Sequence, residues 1–465
     1  MKRLLLILGI VSLVASPAYG LDITDNLSLS GLVKNETALR LTEREERGDF
    51  MKVENTLQLG AEFRLMDNVH LFGLFRGFYE ALYDIEDDLY DSEFRDEYKE
   101  LRYPQEDEWV REAYIDLLFD WLDVRIGKQQ VVWGTADGIK ILDAVNPTDM
   151  REFTLDDYRD SRIPLWMVKT EFAPTISGTL QLLFIPDFEP NYIPPLGSPF
   201  TFRATAIGAT NLAAWPFAIS IKEEKPDPWE NIDESSFGAR WLDVIGGFEY
   251  TLNYLYGYYY SGANYSSITP PGTPGPDSIL NLTKKYERIH LIGSSFSKAL
   301  TTGLLAGLNI RGELAYIKGI PGYYGEDGDS KGVVKLDNYN YVLGLDKNLF
   351  TNWFLSFQFI QYISSISEHE GFGLLFGPTL GPIEQVETIL SLKVSTDFMH
   401  ERLKPEVLIL YWLEKNWRIS PKASFEIFDY LNLAAGAHIF AGDEQNLFGQ
   451  FDDNDQVFIE LRYGF

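Results

Sequence analysis

The sequence predicts a transmembrane, antiparallel, up-and-down β-barrel of about 18 strands (16 is the alternative count), with long loops on one side and short turns on the other. Three observations predict it. The last ten residues put Val457, Ile459, Leu461, Tyr463 and Phe465 on one face of an extended strand and Gln456, Glu460, Arg462 and Gly464 on the other, one face suited to lipid and one to water. Alternation of that kind recurs along nearly the whole chain. The connections alternate between short and long, which a soluble repeat of fixed period would not produce.

In chain order, Met1-Lys2-Arg3 is a basic start, Leu4 to Ala15 an apolar run, and Ala18-Tyr19-Gly20 a small-residue cleavage site. Residues 1–20 therefore read as a signal peptide and 21–465 as a single barrel domain. Beyond the signal no stretch approaches the roughly 18 continuous apolar residues of a membrane helix. The formal charge is −29, and loss of Lys2 and Arg3 leaves 38 − 69 = −31, which argues against nucleic acid as a partner. There is no cysteine, and aromatics make up 14% of the chain, as girdles at two membrane interfaces would require. The aromatic-ended last strand looks like the closing strand of a Gram-negative outer-membrane barrel. That resemblance implies an outer-membrane location after export, contact with membrane lipid and lipopolysaccharide, and delivery to the barrel assembly machinery through the C-terminal strand.

Each strand is tested by parity. Leu57, Leu59, Ala61, Phe63 and Leu65 oppose Thr56, Gln58, Glu62 and Arg64; Phe248 to Tyr258 alternate against Glu249, Thr251 and Asn253; Leu304 to Leu314 against Asn309, Arg311 and Glu313. Leu390, Leu392 and Val394 oppose Ser391 and Lys393, and Ile419, Ala423, Phe425 and Ile427 oppose Arg418, Ser420, Lys422 and Glu426. The weakest patterns are 165–172 and 237–244. Short turns are expected near 66–67, 119–120, 174–177, 246–247, 298–301, 347–351, 398–402 and 429–430. Long loops are expected over 84–108, 135–164, 187–236, 263–283, 318–334 and 371–383.

About 18 strands leave a passage rather than a packed core. Glu62, Arg64, Arg76, Glu80, Glu112, Asp116, Asp123, Arg125, Arg311, Glu313, Lys393, Arg418, Lys422 and Glu426 fall on the inward parity, and so many charges require water beside them. The alternative is a lumen closed by salt-bridged ladders. The loop 84–108 carries 12 acidic residues against three basic ones and reads as a solvated segment, a cation-enriching vestibule or a loose divalent site; it lacks the spacing of an EF-hand.

The most distinctive stretch is Gly127-Lys128-Gln129-Gln130-Val131-Val132-Trp133-Gly134, followed by Ile139 to Asp143, Val145-Asn146-Pro147-Thr148-Asp149 and Arg162-Ile163-Pro164. It resembles the motif region of the domain of unknown function 1302 family of outer-membrane proteins, in which a Gly-Arg/Lys-Gln strand end and Trp-Gly lead into an Asn-Pro loop. Lys128 stands where Arg is the more usual residue, and an ammonium makes no bidentate fork. On its own physics, the loop balances Arg151, Arg159 and Arg162 against Asp149, Glu152, Asp156, Asp157 and Asp160, so it can fold inward with its charges satisfied. Lys128, Gln129, Trp133, Asp143, Asn146, Asp149, Arg151 and Arg162 are the candidate constriction residues; an external loop packed on its neighbours is the alternative.

The loop 187–236 is stiffened by Pro190, Pro194, Pro195 and Pro199 and then unusually apolar, with Phe200, Phe202, Trp215 and Phe217 the candidate contacts for a lipophilic cargo, a partner or the barrel mouth. No catalytic residues are expected: the five histidines are scattered, no Gly-x-Ser-x-Gly element occurs, and His438 near Ser420 and Ser424 reads as structural. No His-Glu-x-x-His or Cys-x-x-Cys-His spacing points to a metal or a covalently held haem, so no cofactor is expected. The reading is a channel or transporter for small, lipophilic molecules. A general cation-preferring porin, or a sheath for a partner such as a multihaem cytochrome, are the alternatives.

Overall fold

The structure, a computed structural model, describes residues 21–41, 50–86, 109–136, 138–203, 205–206, 213, 218–269, 278–326, 329–365, 371–372, 385–413 and 416–465. Eighteen strands pair in sequence order and close on themselves. They are β1 (Leu27–Arg40), β2 (Phe50–Met66), β3 (Val69–Glu80), β4 (Val110–Leu118), β5 (Leu122–Gln129), β6 (Leu165–Phe172), β7 (Thr179–Ile185), β8 (Ser236–Ile245) and β9 (Phe248–Tyr258), then β10 (Arg288–Ala299), β11 (Leu308–Glu326), β12 (Asp329–Leu349), β13 (Trp353–Ser364), β14 (Val386–Ser395), β15 (Leu403–Trp412), β16 (Asn416–Phe428), β17 (Leu431–Ala441) and β18 (Gln456–Gly464). Two short strands, Leu21–Thr24 and Gly371–Phe372, extend the sheet beside β1 and β11.

Alternation is the cause of this shape. On β2, Leu57 and Leu59 are 41% and 43% exposed to the surroundings, while Thr56 between β1 and β3 is 2% exposed. Leu252, Ile292, Leu314, Leu343 and Ile459 continue the apolar outer belt around the circumference. Closure joins β1 to β18, with Val33 opposite Tyr463 and Lys34 opposite Arg462. At this seam the Gly31 and Phe465 backbones exchange hydrogen bonds of 2.7 and 2.9 Å, and the Phe465 ring lies across Gly31 where a Cβ would stand only 2.0 Å from it. Any side chain at residue 31 would push the terminal ring off the seam.

The weakly patterned segments 165–172 and 237–244 are both full barrel strands. Two expected connections differ. Residues 318–334 are not a long loop: β11 and β12 run on as one hairpin beyond the rim, because their backbones stay paired there except for irregularities after Lys318 and Tyr324. The turn expected at 298–301 extends to Gly307, so Leu304 and Ala306 lie in a turn and β11 begins at Leu308. On the long-loop side, Ala218–Glu224, Ala263–Thr269 and Ile279–Lys285 form a separate three-stranded sheet. The apolar core sits inside the barrel's outer half, where loop residues such as Trp133, Leu142, Val145, Phe153 and Phe448 pack against the inward wall.

Candidate functional site

The motif after β5 builds the base of an inward loop, residues 130–164. Asn146 ties its two ends together: its side-chain oxygen accepts from Val131 N at 2.8 Å, and its amide donates to Gln129 O at 3.3 Å and Ile163 O at 2.9 Å. Asp143 accepts from Arg162 at 2.7 Å in a buried pair beside this clip. Gln129 donates across to Met167 O on β6 at 3.2 Å. Gly127 holds φ 142°, with no room for a Cβ over Ala113 O, so the strand bends there at no steric cost. Trp133 is wholly buried and donates from Nε1 to Gln181 Oε1 on β7 at 2.8 Å.

From this base the loop crosses the bore and is held on the opposite walls. Glu313 on β11 accepts from Thr135 N, from Thr135 Oγ1 at 3.0 Å and from Leu142 N at 3.1 Å. Arg311 pairs with Asp346 at 2.7 Å and also donates to Thr135 O. Arg418 on β16 donates to Thr154 O at 2.7 Å and to Thr154 Oγ1 at 2.6 Å. Phe153 is a hub: its ring lies 4.8 Å from that of Phe451 and about 6 Å from Phe202, Phe440 and Phe448, and its backbone is held at φ 55°. A left-handed conformation at a bulky residue costs on the order of 1–3 kcal/mol and persists because the surrounding rings fix it.

A third wall is ionic. Lys52 on β2 lies 3.2 Å from Glu36 and 3.6 and 3.9 Å from loop carboxylates of Asp156 and Glu152. Arg76 reaches Asp160 at 3.3 Å, with Lys34 at 4.0 Å. Arg111 donates to the carbonyls of Arg159, Asp160 and Arg162 at 2.7 to 3.0 Å, capping the short helix Tyr158–Ser161. Burial pushes the Asp156 carboxyl up to about 7, with Glu152 adding to the rise and Lys52 opposing it. Asp160 goes the other way: burial would raise it, but Arg76, Lys34 and Arg111 hold it below the usual carboxylate range.

The loop divides the lumen into two chambers. The outer one, about 240 Å³, is lined chiefly by apolar and aromatic groups, among them Ile139, Ile141, Met150, Phe153, Tyr258 and Tyr260. The inner one, about 300 Å³, is charged, with Lys34, Asp156, Asp160, Lys393, Arg418 and Lys422 on its walls. Gly138, Thr154, Asp156 and Tyr158 border both and so belong to the partition between them.

The other expected lumen residues divide by height. Glu62, Arg64 and Asp123 are exposed near the short-turn rim. Arg125 pairs with Asp116 at 2.6 Å over the Tyr114 ring, Glu112 accepts from Gln130 at 3.3 Å, and Lys393 pairs with Glu406 at 3.3 Å; Glu426 is half-buried. Arg311, Glu313 and Arg418 are no more than 9% exposed, so loop groups and, for Arg311, Asp346 of β12 satisfy them where water was expected. Glu80 is likewise buried, accepting from Val53 N and Leu82 N. Arg151 chelates Asp149 at 2.6 Å against the Tyr192 ring. Lys128 is not in the bore: it shares its register row with Ala113 and the exposed Trp166, so it stands on the outer face. Phe200 and Phe202 are buried against the loop hub, contacting Phe451 at 5.7 and 5.9 Å. Tyr258, expected on the lipid face, is instead buried beneath Arg288 at 3.9 Å. Trp215, Phe217 and the acidic residues 87–108 lie outside the described residues.

Sequence reasoning missed Lys34, Lys52, Arg111 and Lys140. Lys34 and Lys52 carry a signal, since both sit on the inward parity of their strands with Glu36 and Glu54. Arg111 does not: an irregularity between Leu74 and Phe75 in the β3–β4 register shifts the parity and turns it inward.

A closed 18-strand barrel crossed by an inward loop is an outer-membrane, porin-like architecture. The sequence profile of the family described as protein of unknown function (DUF1302) matches residues 41–465, and the chain belongs to that family. No curated protein matches. Among solved structures, Acinetobacter baumannii OccAB2 is similar at TM-score 0.52 and 10% identity, covering 96% of this chain and 99% of its own. OccAB3 from the same organism gives 0.51 and 9%, with 95% and 100% covered, and a BenF-like porin from Pseudomonas fluorescens Pf-5 gives 0.51 and 9%, with 95% and 98%. At such identity the likeness is one of fold.

Proposed function

We propose that this protein is an outer-membrane passage for small, lipophilic molecules, narrowed by the loop 130–164. The observation that carries the reading is the apolar chamber placed in series with a charged one, separated only by the segment around Thr154 to Tyr158. A solute entering from the long-loop side meets aromatic and aliphatic walls first, which favours desolvated apolar groups. The inner chamber has both signs of charge, so the chain's formal charge of −29 does not translate into a one-sign filter at the narrowest point. A sheath for a cytochrome would need the bore that this loop occupies. The His438 Nδ1–Ser420 Oγ contact of 3.0 Å, beside a His438 ring stacked on Phe458, reads as a structural hydrogen bond with no catalytic part.

Deleting Asp149 to Asp160 tests the passage directly. Planar-bilayer recordings of the mature protein should show small, brief steps, and the deletion variant steps several-fold larger. Equal conductance in the two would defeat the constriction.

A further inference from the structure

The inner chamber meets the barrel wall at a fault. β16 and β17 pair at Ile419–Ile439 and again at Lys422–Gly436, while the steps at Ser420 and Pro421 between them are unpaired although the register does not shift. Alternate residues of a strand turn their backbone groups to opposite neighbours. Phe440 N donates toward β18, to Asp455 Oδ1 at 2.7 Å, so Ala437 and Ile439 turn toward β16. The register sets Ala437 opposite Pro421, which has no N–H to give its carbonyl. Among the described strands the other prolines lie at the rims: Pro405 is third in β15 beside a short turn, and Pro321 is in the β11–β12 hairpin beyond the opposite rim. Proline within a sheet is otherwise confined to edges, first residues and bulges, and inside a bilayer the carbonyl it strands meets no water from the lipid side.

The wall is also thin there. On the lumen side Gly436 admits no side chain, because a Cβ would stand 2.5 Å from Pro421 O and 2.7 Å from the Phe458 ring. On the outer side Pro421, Ala423 and Ala435 are exposed and Ala437 is half-buried, so small groups stand between rows that carry Trp417, Ile419, Leu433 and Ile439. The inner chamber reaches Pro421 itself, together with Ser420, His438 and Phe458. The skipped pair is joined across the gap by side chains, His438 Nδ1 to Ser420 Oγ at 3.0 Å, with the imidazole stacked on Phe458. Chamber and lipid are thus separated at one place by a wall short of both side chains and a backbone bond.

We propose that β16 and β17 part at Pro421 to form a side portal between the inner chamber and the bilayer, admitting the single alkyl chain of an amphiphile whose polar head stays in the chamber. The opening runs from Ile419 to Lys422, about 10 Å of strand, which fits one chain and not a two-chain lipid. The chamber walls carry Arg418 and Lys422 against Asp156 and Glu406, so the head is selected for polarity and not for sign. The portal rests on the passage reading for how cargo reaches the chamber, and it gives a lipophilic cargo an exit that avoids water.

Photolabelling in liposomes tests it. The mature protein is reconstituted with dodecylphosphocholine bearing a diazirine at the end of its chain, and the labelled residues are located by mass spectrometry. Label is expected on the lipid-facing Leu433 and Ile459 and also on the inward His438 and Phe458. Pro421→Val restores the missing N–H and should reduce the inward label to background while keeping the outward label. Inward label that is absent from the parent protein, or as strong in Pro421→Val as in the parent, would overturn the portal. Because the chain has no cysteine, Ala423→Cys/Ala435→Cys, which places two thiols opposite each other in register, makes a lock within one molecule. Oxidation should remove the inward label and reduction restore it; label indifferent to oxidation would also overturn the portal. Should either variant fail to give the compact, heat-modifiable form of a folded barrel on gels, the other decides. Planar-bilayer conductance keeps the two readings apart. Normal steps without inward label keep the passage and remove the portal; inward label without steps keeps the portal and removes the through-passage.

Discussion

The two chambers are held together by different physics. Around the outer one, the loop is fixed by interlocking rings: Phe153 touches Phe202, Phe440, Phe448 and Phe451, and Trp133 is sealed beneath the wall. Around the inner one, the same loop is fixed by charge, with Lys52, Lys34, Arg76 and Arg111 facing Glu152, Asp156 and Asp160. Packing is short-ranged and indifferent to pH and salt, whereas partly hydrated ion pairs respond to both. One loop thus has a side insensitive to its surroundings and a side that senses them.

The strongest way to break this comparison is at the ring hub. Phe153→Ala should cost about 3–5 kcal/mol of local stability, seen as a hundredfold or greater loss of amide exchange protection in residues 141–154, with the barrel strands unaffected. Phe153→Gly, which relieves the left-handed backbone, should cost somewhat less. On the ionic side, Lys52→Met strands Glu36, Glu152 and Asp156 together. Breaking a fully buried pair costs about 3–5 kcal/mol, but Asp156 retains about a quarter of its side-chain exposure, so a loss of about 2–3 kcal/mol is expected. It should appear as noisier single-channel current at low salt, with a smaller difference from the parent at 1 M salt, about a 3 Å screening length.

The pH response sharpens the contrast further. Because the Asp156 carboxyl is raised above its unfolded value, its protonated form favours the closed loop; that contribution is complete at low pH, declines above the unfolded carboxylate pKa and is lost as pH passes about 7. Raising pH from 6 to 8 should shift the reversal potential toward cation preference, and Asp156→Asn should flatten that shift; an equal shift in the variant would exclude this carboxyl as its source. The smallest expected effect is Ser420→Ala, which removes one hydrogen bond to His438 and one from Arg418 at about 0.5–1.5 kcal/mol each, with conductance unaltered.

The barrel was readable because lipid on one side and water on the other impose a period of two that few other architectures sustain. Even weak segments such as 165–172 obeyed it. The inward course of 130–164 was legible only in part: its balanced charges and the Trp133, Asn146 and Arg162 motif indicated a self-contained loop, but its partners Glu313 and Arg418 are distant in sequence. The reading failed at three places, each for its own reason. Arg111 turned inward through a register irregularity, Lys128 stayed outside although it stands in the motif, and β11 and β12 remained paired well past the membrane. Lys140, whose ammonium donates to Thr148 Oγ1 on the wall of the outer chamber, has no pattern around it and gave no sign of that place.

Glu313 and Arg418 anchor the loop to walls far from the Asn146 clip at its root. A flap hinged at one end could swing aside like a door. A bridge moored at both banks cannot, so its freedom is confined to the span between the moorings at Leu142 and Thr154. Such a pore would flicker, not switch, and its throughput would be set by how often a few side chains step out of line together.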